Sequence, residues 1–93
     1  MITAIVLIDT AADAIPEVAA AVVEIDGVSE VFSVTGGADL IAMVRVHEHE
    51  HLADVIADQV SKVPGVVRTQ TYIAFRAYSK KALAEAFDLG LAD

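Results

Sequence analysis

Cysteine and tryptophan are both absent from this 93-residue chain. Without cysteine there can be no disulfide, no thiolate nucleophile and no Cys-based zinc site. Basic residues are scarce: 6 Lys and Arg stand against 14 Asp and Glu, a formal net charge of −8. Such a chain repels phosphate backbones, which argues against direct nucleic-acid binding, and anionic membranes are disfavoured for the same reason. Long apolar runs are missing too. The opening run Ile2–Ile8 is too short for a signal-peptide core and has no basic flank before it. No apolar stretch approaches about 18 residues without a charge, so the sequence predicts no membrane span and a cytoplasmic protein. No nucleophile motif is visible, and no Gly-rich phosphate loop precedes a helix, because Thr35-Gly36-Gly37 joins two strands. No linker or low-complexity segment divides the chain.

What remains is rich in aliphatics. Hydrophobic residues make up 56% and aromatics only 5%, so the core must be Val, Ile, Leu and Ala. A chain of this length forms one small domain that buries only about 60–65% of its unfolded surface. That leaves little interior for so many apolar side chains, and the surplus implies a partner.

An internal correspondence appears at an offset of 38 positions. Ala4 matches Ala42, Val6 matches Val44, Ala19 matches Ala57, Val22 matches Val60, Gly27 matches Gly65 and Val28 matches Val66. Near matches include Ile8 with Val46 and Val18 with Ile56. Each half opens with a β-branched apolar run, Ile2–Ile8 or Leu40–Val46, which predicts a buried strand. A polar corner follows, Asp9–Asp13 or His47–His51. Helical spacing then runs over Ile15–Ile25, with Pro16 suited to the first turn, and over Leu52–Val63. Asp26-Gly27 and Pro64-Gly65 stop the helices, and strands are expected over Val28–Thr35 and Val66–Ala77. Thr35-Gly36-Gly37 supplies a tight turn between the second and third strands.

The order β-α-β-β-α-β predicts an α+β, ferredoxin-like domain. Right-handed crossovers put the first and third strands at the centre of a four-stranded antiparallel sheet, with two helices on one face. Both parities of the central strands are largely apolar: Ile2, Ala4, Val6, Ile8 with Leu40, Ala42, Val44, Val46, and Thr3, Ile5, Leu7 with Ile41, Met43, Arg45. One set packs under the helices. The other implies a sheet-to-sheet homodimer, since leaving it wet forgoes several kcal/mol at roughly 25 cal/mol per Å². The domain is expected over residues 1–78, with a helical tail over 79–93 capped by Ser79 and stopped by Gly90. That tail clasps its own subunit or a neighbour.

The stretch His47-Glu48-His49-Glu50-His51 matches the H-E-x-x-H pattern of zinc hydrolases. That reading needs both outer imidazoles on one helix and a third ligand at a suitable spacing. Here His47 falls at a strand end, and no histidine follows His51. If the strand continued, the three histidines would align at period two and could trap adventitious metal. The reading preferred is a solvated corner whose Glu48 and Glu50 complement the dipole of the helix that follows. No metal site and no cofactor are expected. Arg45, Arg68 and Arg76, on strands, could reach a carboxylate, and an interface ion pair explains each equally well.

The segment Val34-Thr35-Gly36-Gly37-Ala38-Asp39-Leu40-Ile41-Ala42-Met43-Val44, followed by Val63-Pro64-Gly65-Val66-Val67-Arg68-Thr69-Gln70-Thr71, is informative. It resembles the effector-binding domain of the Lrp/AsnC family of amino-acid-responsive regulators, which carries V-T-G-x-x-D into its third strand and P-G-V-x-x-T-x-T into its fourth. The likeness covers about residues 1–78. It implies dimerisation through the sheets, assembly into rings such as octamers or decamers, and effectors, usually amino acids, bound between dimers near the turn into the third strand. By motif, the ligand-binding candidates are Thr35, Gly36, Ala38 and Asp39 at that turn, and Thr69 and Thr71 on the fourth strand. A carboxylate at Asp39 accepts an α-ammonium, while hydroxyls and loop N–H groups take an α-carboxylate. Each also has a structural role open to it. Gly36 allows a positive φ, Asp39 caps the turn, and both threonines suit a strand. The family often has a large or aromatic residue where this chain has Ala38, which widens or flattens the pocket.

Full-length members carry an N-terminal helix-turn-helix; with the first strand starting at Ile2, the chain resembles stand-alone versions that would act on transcription through full-length relatives. Two other readings stay open. One is a dimeric α+β barrel enzyme of the cofactor-free monooxygenase or isomerase type, with its site between sheet and helices. The other is an assembly partner without a ligand.

Overall fold

The structure is a computed structural model that describes residues 1–81, 83 and 84. Four strands form one sheet in the order β2-β3-β1-β4, and every neighbouring pair is antiparallel. These are β1 (Ile2–Thr10), β2 (Val28–Ser33), β3 (Leu40–Val46) and β4 (Val66–Ala74). Helix α1 (Ile15–Val23) joins β1 to β2, and a second helical segment opening with α2 (His49–Ala53) joins β3 to β4. This is the β-α-β-β-α-β plan with the first and third strands central.

Strict alternation sorts the central strands. Ala4, Val6 and Ile8 of β1 and Leu40, Ala42, Val44 and Val46 of β3 are buried, and they cluster with Val18, Val22, Leu52, Val55 and Val60 from the helices. No polar or charged residue is buried among the described residues. Each large aliphatic side chain so enclosed contributes roughly 1.5–3 kcal/mol relative to exposure. The opposite face carries Ile5, Leu7, Ile41 and Met43, all half-buried, flanked by Phe32 at 48% and Tyr72 at 51% exposure. No described helix covers that face.

The two halves superpose in role. Ala4 and Ala42, Val6 and Val44, and Val22 and Val60 are all fully buried. Gly27 and Gly65, their helix-terminating counterparts, share φ values of 100° and 98°. Gly65 is required twice over. An L side chain rarely adopts that φ, and an added Cβ would come within 2.8 Å of Val18 Cγ2 and 2.9 Å of Ala14 Cβ.

Four local expectations need correction. The strand β1 runs two residues past Ile8, because Asp9 and Thr10 still pair with β4 beyond the apolar run. The second helix starts at His49 rather than Leu52, so the polar stretch forms its first turn instead of a corner ahead of it. It also is not a uniform α-helix: a π-helical turn, Asp54–Gln59, follows α2, and a 3-10 turn, Val60–Lys62, ends it. The wide turn puts Val55 and Val60, five residues apart, both into the core, whereas Val18 and Val22 of α1 are four apart. Ile56, the counterpart of Val18, is thereby rotated out to half-burial, and its carbonyl accepts the Ser61 hydroxyl at 2.8 Å. Finally, β4 ends at Ala74, so Arg76 is not on a strand.

Beyond β4, Lys80, Lys81, Leu83 and Ala84 are helical, and the Leu83 N–H donates to the Ser79 carbonyl at 3.0 Å. That puts Ser79 where the cap was expected; the rest of the expected tail helix, Ala82 and positions 85–93, lies outside the described residues.

Candidate functional site

The connection between β2 and β3 covers positions 34–39 and is longer than the tight turn expected from Thr35-Gly36-Gly37. Thr35, Gly36 and Gly37 are exposed, while Ala38 and Asp39 are half-buried. Gly36 has φ 131°, and an added Cβ would meet nothing within 4 Å. Glycine is needed there for the backbone path, not for space.

Asp39 is the hub of this loop. Its N–H donates to the Ile8 carbonyl at 3.0 Å, and its carbonyl accepts the Val34 N–H at 3.2 Å, closing the loop. Its Oδ2 accepts the Thr10 N–H at 2.9 Å, with the Thr10 hydroxyl at 3.5 Å. The reason lies in the ladder. Pairing of β1 with β3 ends at Ile8 opposite Leu40. In an antiparallel strand, N–H and C=O groups of alternate residues point to the same neighbour. The Thr10 N–H therefore points the same way as the Ile8 carbonyl, beyond Leu40, the first residue of β3, and the Asp39 carboxylate supplies the partner that the strand does not. The second oxygen, Oδ1, has no hydrogen bond among the described residues.

The same end of the sheet carries further fixed points. The Ala11 N–H donates to the Gly65 carbonyl at 2.8 Å, tying the β1–α1 turn to the turn before β4. Arg68 Nη2 lies 3.1 Å from Asp9 Oδ2, with Nε at 3.2 Å. The β1–β4 register shifts between Asp9 and Thr10, leaving Val67 bulged and 71% exposed. From the sequence Arg68 is on a strand within reach of some carboxylate, in the same subunit or across an interface, and Thr10 is only part of a polar corner; the structure pairs Arg68 with Asp9 of its own subunit. A polar dipeptide directly after a buried strand was the signal present; its bond to a loop on another strand was not encoded in any spacing.

Thr69 and Thr71 are half-buried on β4, opposite Ile8 and Val6 in register, and so lie on the helix side of the sheet. The loop residues Thr35, Gly36, Ala38 and Asp39 come together by adjacency, while β1 separates them from Thr69 and Thr71. One subunit does not gather all six into a single pocket. A groove of about 320 Å³ under β4 is lined by His49, Leu52, Ala53, Ile56, Ala57, Thr71 and Ile73. A recess of about 510 Å³ on the open sheet face is lined by Thr3, Ile5, Met43, Arg45 and the Ala74–Ala77 segment, among others. Neither reaches the β2–β3 loop.

Arg45 donates to the Ser29 hydroxyl at 2.6 Å, with Glu30 at 3.9 Å, on the rim of the open face. His47 lies just past β3, and His49 and His51 lie in the first turn of α2. Among the described residues, no group of three His, Asp or Glu side chains is gathered to hold a metal ion. No described helix is long and apolar enough to cross a membrane.

Comparison with known proteins gives consistent results. The model of the Lrp/AsnC ligand binding domain matches residues 3–83. A proline dehydrogenase transcriptional activator of Rhodobacter capsulatus is 34% identical over 69 residues, which is 74% of this chain and 45% of that protein. The chain thus spans less than half the length of that curated relative. Among solved structures, TTHA0845 from Thermus thermophilus is 44% identical with a TM-score of 0.82, covering 86% of this chain and all (100%) of its own. A feast or famine regulatory protein from M. tuberculosis, complexed with L-methionine, is 26% identical with a TM-score of 0.68, covering 87% of this chain and 55% of its own.

Proposed function

The chain belongs to the Lrp/AsnC ligand-binding domain family, and from that premise we propose that it is a non-catalytic amino-acid-binding and oligomerisation module of a transcriptional control system. The observation that carries the ligand site is the Asp39 carboxylate: one oxygen is held by the Thr10 N–H, and the other is left to accept an α-ammonium group. Thr35 and the N–H groups around Gly36 and Ala38 offer donors for the α-carboxylate beside it. Thr69 and Thr71 belong to the opposite wall of the site, supplied by β4. Because one subunit leaves these two walls apart, the site is completed where subunits meet.

The open sheet face supports the assembly. Its half-buried Ile5, Leu7, Ile41 and Met43, ringed by Arg45 and Glu30, have the apolar centre and polar rim of an interface. Two copies pack these faces together as a homodimer, and dimers associate further into a ring, an octamer or decamer, with the β2–β3 loops at the contacts between dimers. With a net charge of −8, the domain reaches DNA only through DNA-binding relatives, and it works in the cytoplasm.

An enzyme of the dimeric α+β barrel type would need convergent polar groups between sheet and helices. The groove there offers Thr71 and His49 among aliphatic residues, which favours the binding module.

A thermal-shift screen with the twenty amino acids, run beside light scattering, tests the proposal. A ligand at a hundred times its Kd stabilises the native state by about 2.7 kcal/mol. At least one amino acid should raise the melting temperature, and Asp39→Ala should remove that rise. A single-subunit species that answers to none of the twenty overturns the reading.

A further inference from the structure

We propose that Thr10 is a positioning residue for the amino-acid site, acting through its backbone N–H on the Asp39 carboxylate. The inference rests on the ligand-site reading above and adds to it the element that aims the site. Three observations carry it. The Thr10 N–H to Asp39 Oδ2 bond is 2.9 Å long and spans 29 residues of sequence, so it ties the end of β1 to the loop that enters β3. The β1–β3 ladder stops at Ile8, so that N–H has no backbone partner on β3, and the carboxylate is its acceptor. Asp39 also spends its own N–H on Ile8 and its carbonyl on Val34, so its backbone is fixed on both sides. With backbone and Oδ2 all committed, the carboxylate cannot swing, and Oδ1 is the oxygen presented to a ligand.

The next bond along the chain extends the consequence. The Ala11 N–H donates to the Gly65 carbonyl at 2.8 Å, in the turn that launches β4 toward Thr69 and Thr71. Thr10 and Ala11 therefore stand as a bridge between the two walls of the site, the loop on one side and β4 on the other. Neither side chain is needed for this; the bridge is made of two consecutive backbone N–H groups pointing to opposite sides, one to the loop before β3 and one to the turn before β4. The Thr10 hydroxyl donates to the Ala11 carbonyl at 3.0 Å and stiffens the bridge.

Proline at position 10 removes the donor, while valine keeps it and drops only the hydroxyl. L-methionine is the probe, since a relative of the same fold holds it. Isothermal titration should show wild-type protein and Thr10→Val binding within about twofold of each other. Thr10→Pro should bind on the order of tenfold more weakly, the equivalent of one charge-assisted hydrogen bond. In a 15N-labelled wild-type sample, the Thr10 amide resonance should move during the titration with the same Kd. Equal binding by Thr10→Pro, or a Thr10 amide unmoved at saturation, overturns the proposal. If Thr10→Pro does not fold, the amide resonance decides alone. Should wild-type protein bind neither L-methionine nor any other of the twenty, the site reading itself fails and the positioning role goes with it. That outcome is distinct from wild-type binding that Thr10→Pro retains.

Discussion

Ile5 and Met43 face each other across the β1–β3 ladder, and each is the other's counterpart in the 38-residue internal correspondence. They thus mark the centre about which the two halves are related. Both are half-buried on the uncovered side of the sheet. In the proposed sheet-to-sheet dimer this pair would lie at the middle, where a charge introduced on each subunit would meet its copy across the interface.

Ile5→Glu should therefore separate the subunits without unfolding them. Like charges facing each other in an interface cost several kcal/mol, so the dimer dissociation constant should rise at least about a hundredfold. Light scattering over a dilution series reads this directly, with circular dichroism as the check on folding. An Ile5→Glu protein that stays associated at the same concentration as wild type would move the interface off this face.

The helix-ending glycines should differ in their tolerance of alanine. At Gly65 an added Cβ meets Val18 and Ala14 at 2.8 and 2.9 Å, whereas at Gly27 the nearest atoms, on Val46 and Val55, are 3.1 Å away. Both substitutions carry the penalty of a positive φ, about 1–2 kcal/mol; at Gly27 the valine methyls need give only a few tenths of an ångström, whereas Gly65→Ala forces packed atoms further apart, for roughly 1–3 kcal/mol more. Urea unfolding should rank Gly65→Ala below Gly27→Ala in stability. The reverse order would mean that the turn before β4 yields more easily than its geometry implies.

Why the fold was legible and parts of the site were not follows from the same residues. The apolar runs Ile2–Ile8 and Leu40–Val46 marked two buried central strands, but with both parities apolar they did not say which set faces the helices; the fold turns Ala4, Val6 and Ile8 inward, and a one-residue slip would have buried the other set. Matching Gly27 with Gly65 located both helix ends. The family motif at Thr35–Asp39 identified the loop and the family. The length of that loop escaped, since two glycines in a row suit a two-residue turn as well as a longer connection. The Thr10–Asp39 bond escaped because it depends on where a ladder stops, a property of two strands that no single segment states. Arg76 was misplaced for a related reason: apolar residues up to Ala77 continue the strand pattern after β4 has lost its partner at Thr3.

Asp39 lends itself to a pair of substitutions that separate its two roles. Asparagine keeps an oxygen for the Thr10 N–H but loses the charge; alanine loses both. Asp39→Ala should cost about 1–3 kcal/mol of stability through the unsatisfied donor, and Asp39→Asn well under that. Both should weaken L-methionine binding if the carboxylate holds the ammonium group. Denaturant melts paired with titration calorimetry check this, and an Asp39→Asn protein that binds as tightly as wild type would reduce Asp39 to a structural latch.

The π-helical turn makes the most specific claim about packing, because it reverses what the internal correspondence implies. By position, Ile56 should fill the core place of Val18, yet Val55 is fully buried and Ile56 only half. In a regular α-helix Val60 would share a face with Ile56, four residues before it; the wider turn pairs it with Val55 instead, and Ile56 lines the groove beside Thr71 and Ile73. Loss of the two methyl groups of Val55 in Val55→Ala forgoes about 1.6 kcal/mol of transfer free energy, at roughly 0.8 kcal/mol per buried carbon, plus the cost of the cavity left behind. Ile56→Ala deletes one carbon more, but from a surface already partly in water, with neighbours free to close over it. The smaller residue should therefore be the costlier one to truncate, an inversion that a regular helix in the same register would not produce. Urea titration of the two variants checks the order, and a larger loss for Ile56→Ala would mean that the second helix winds like the first.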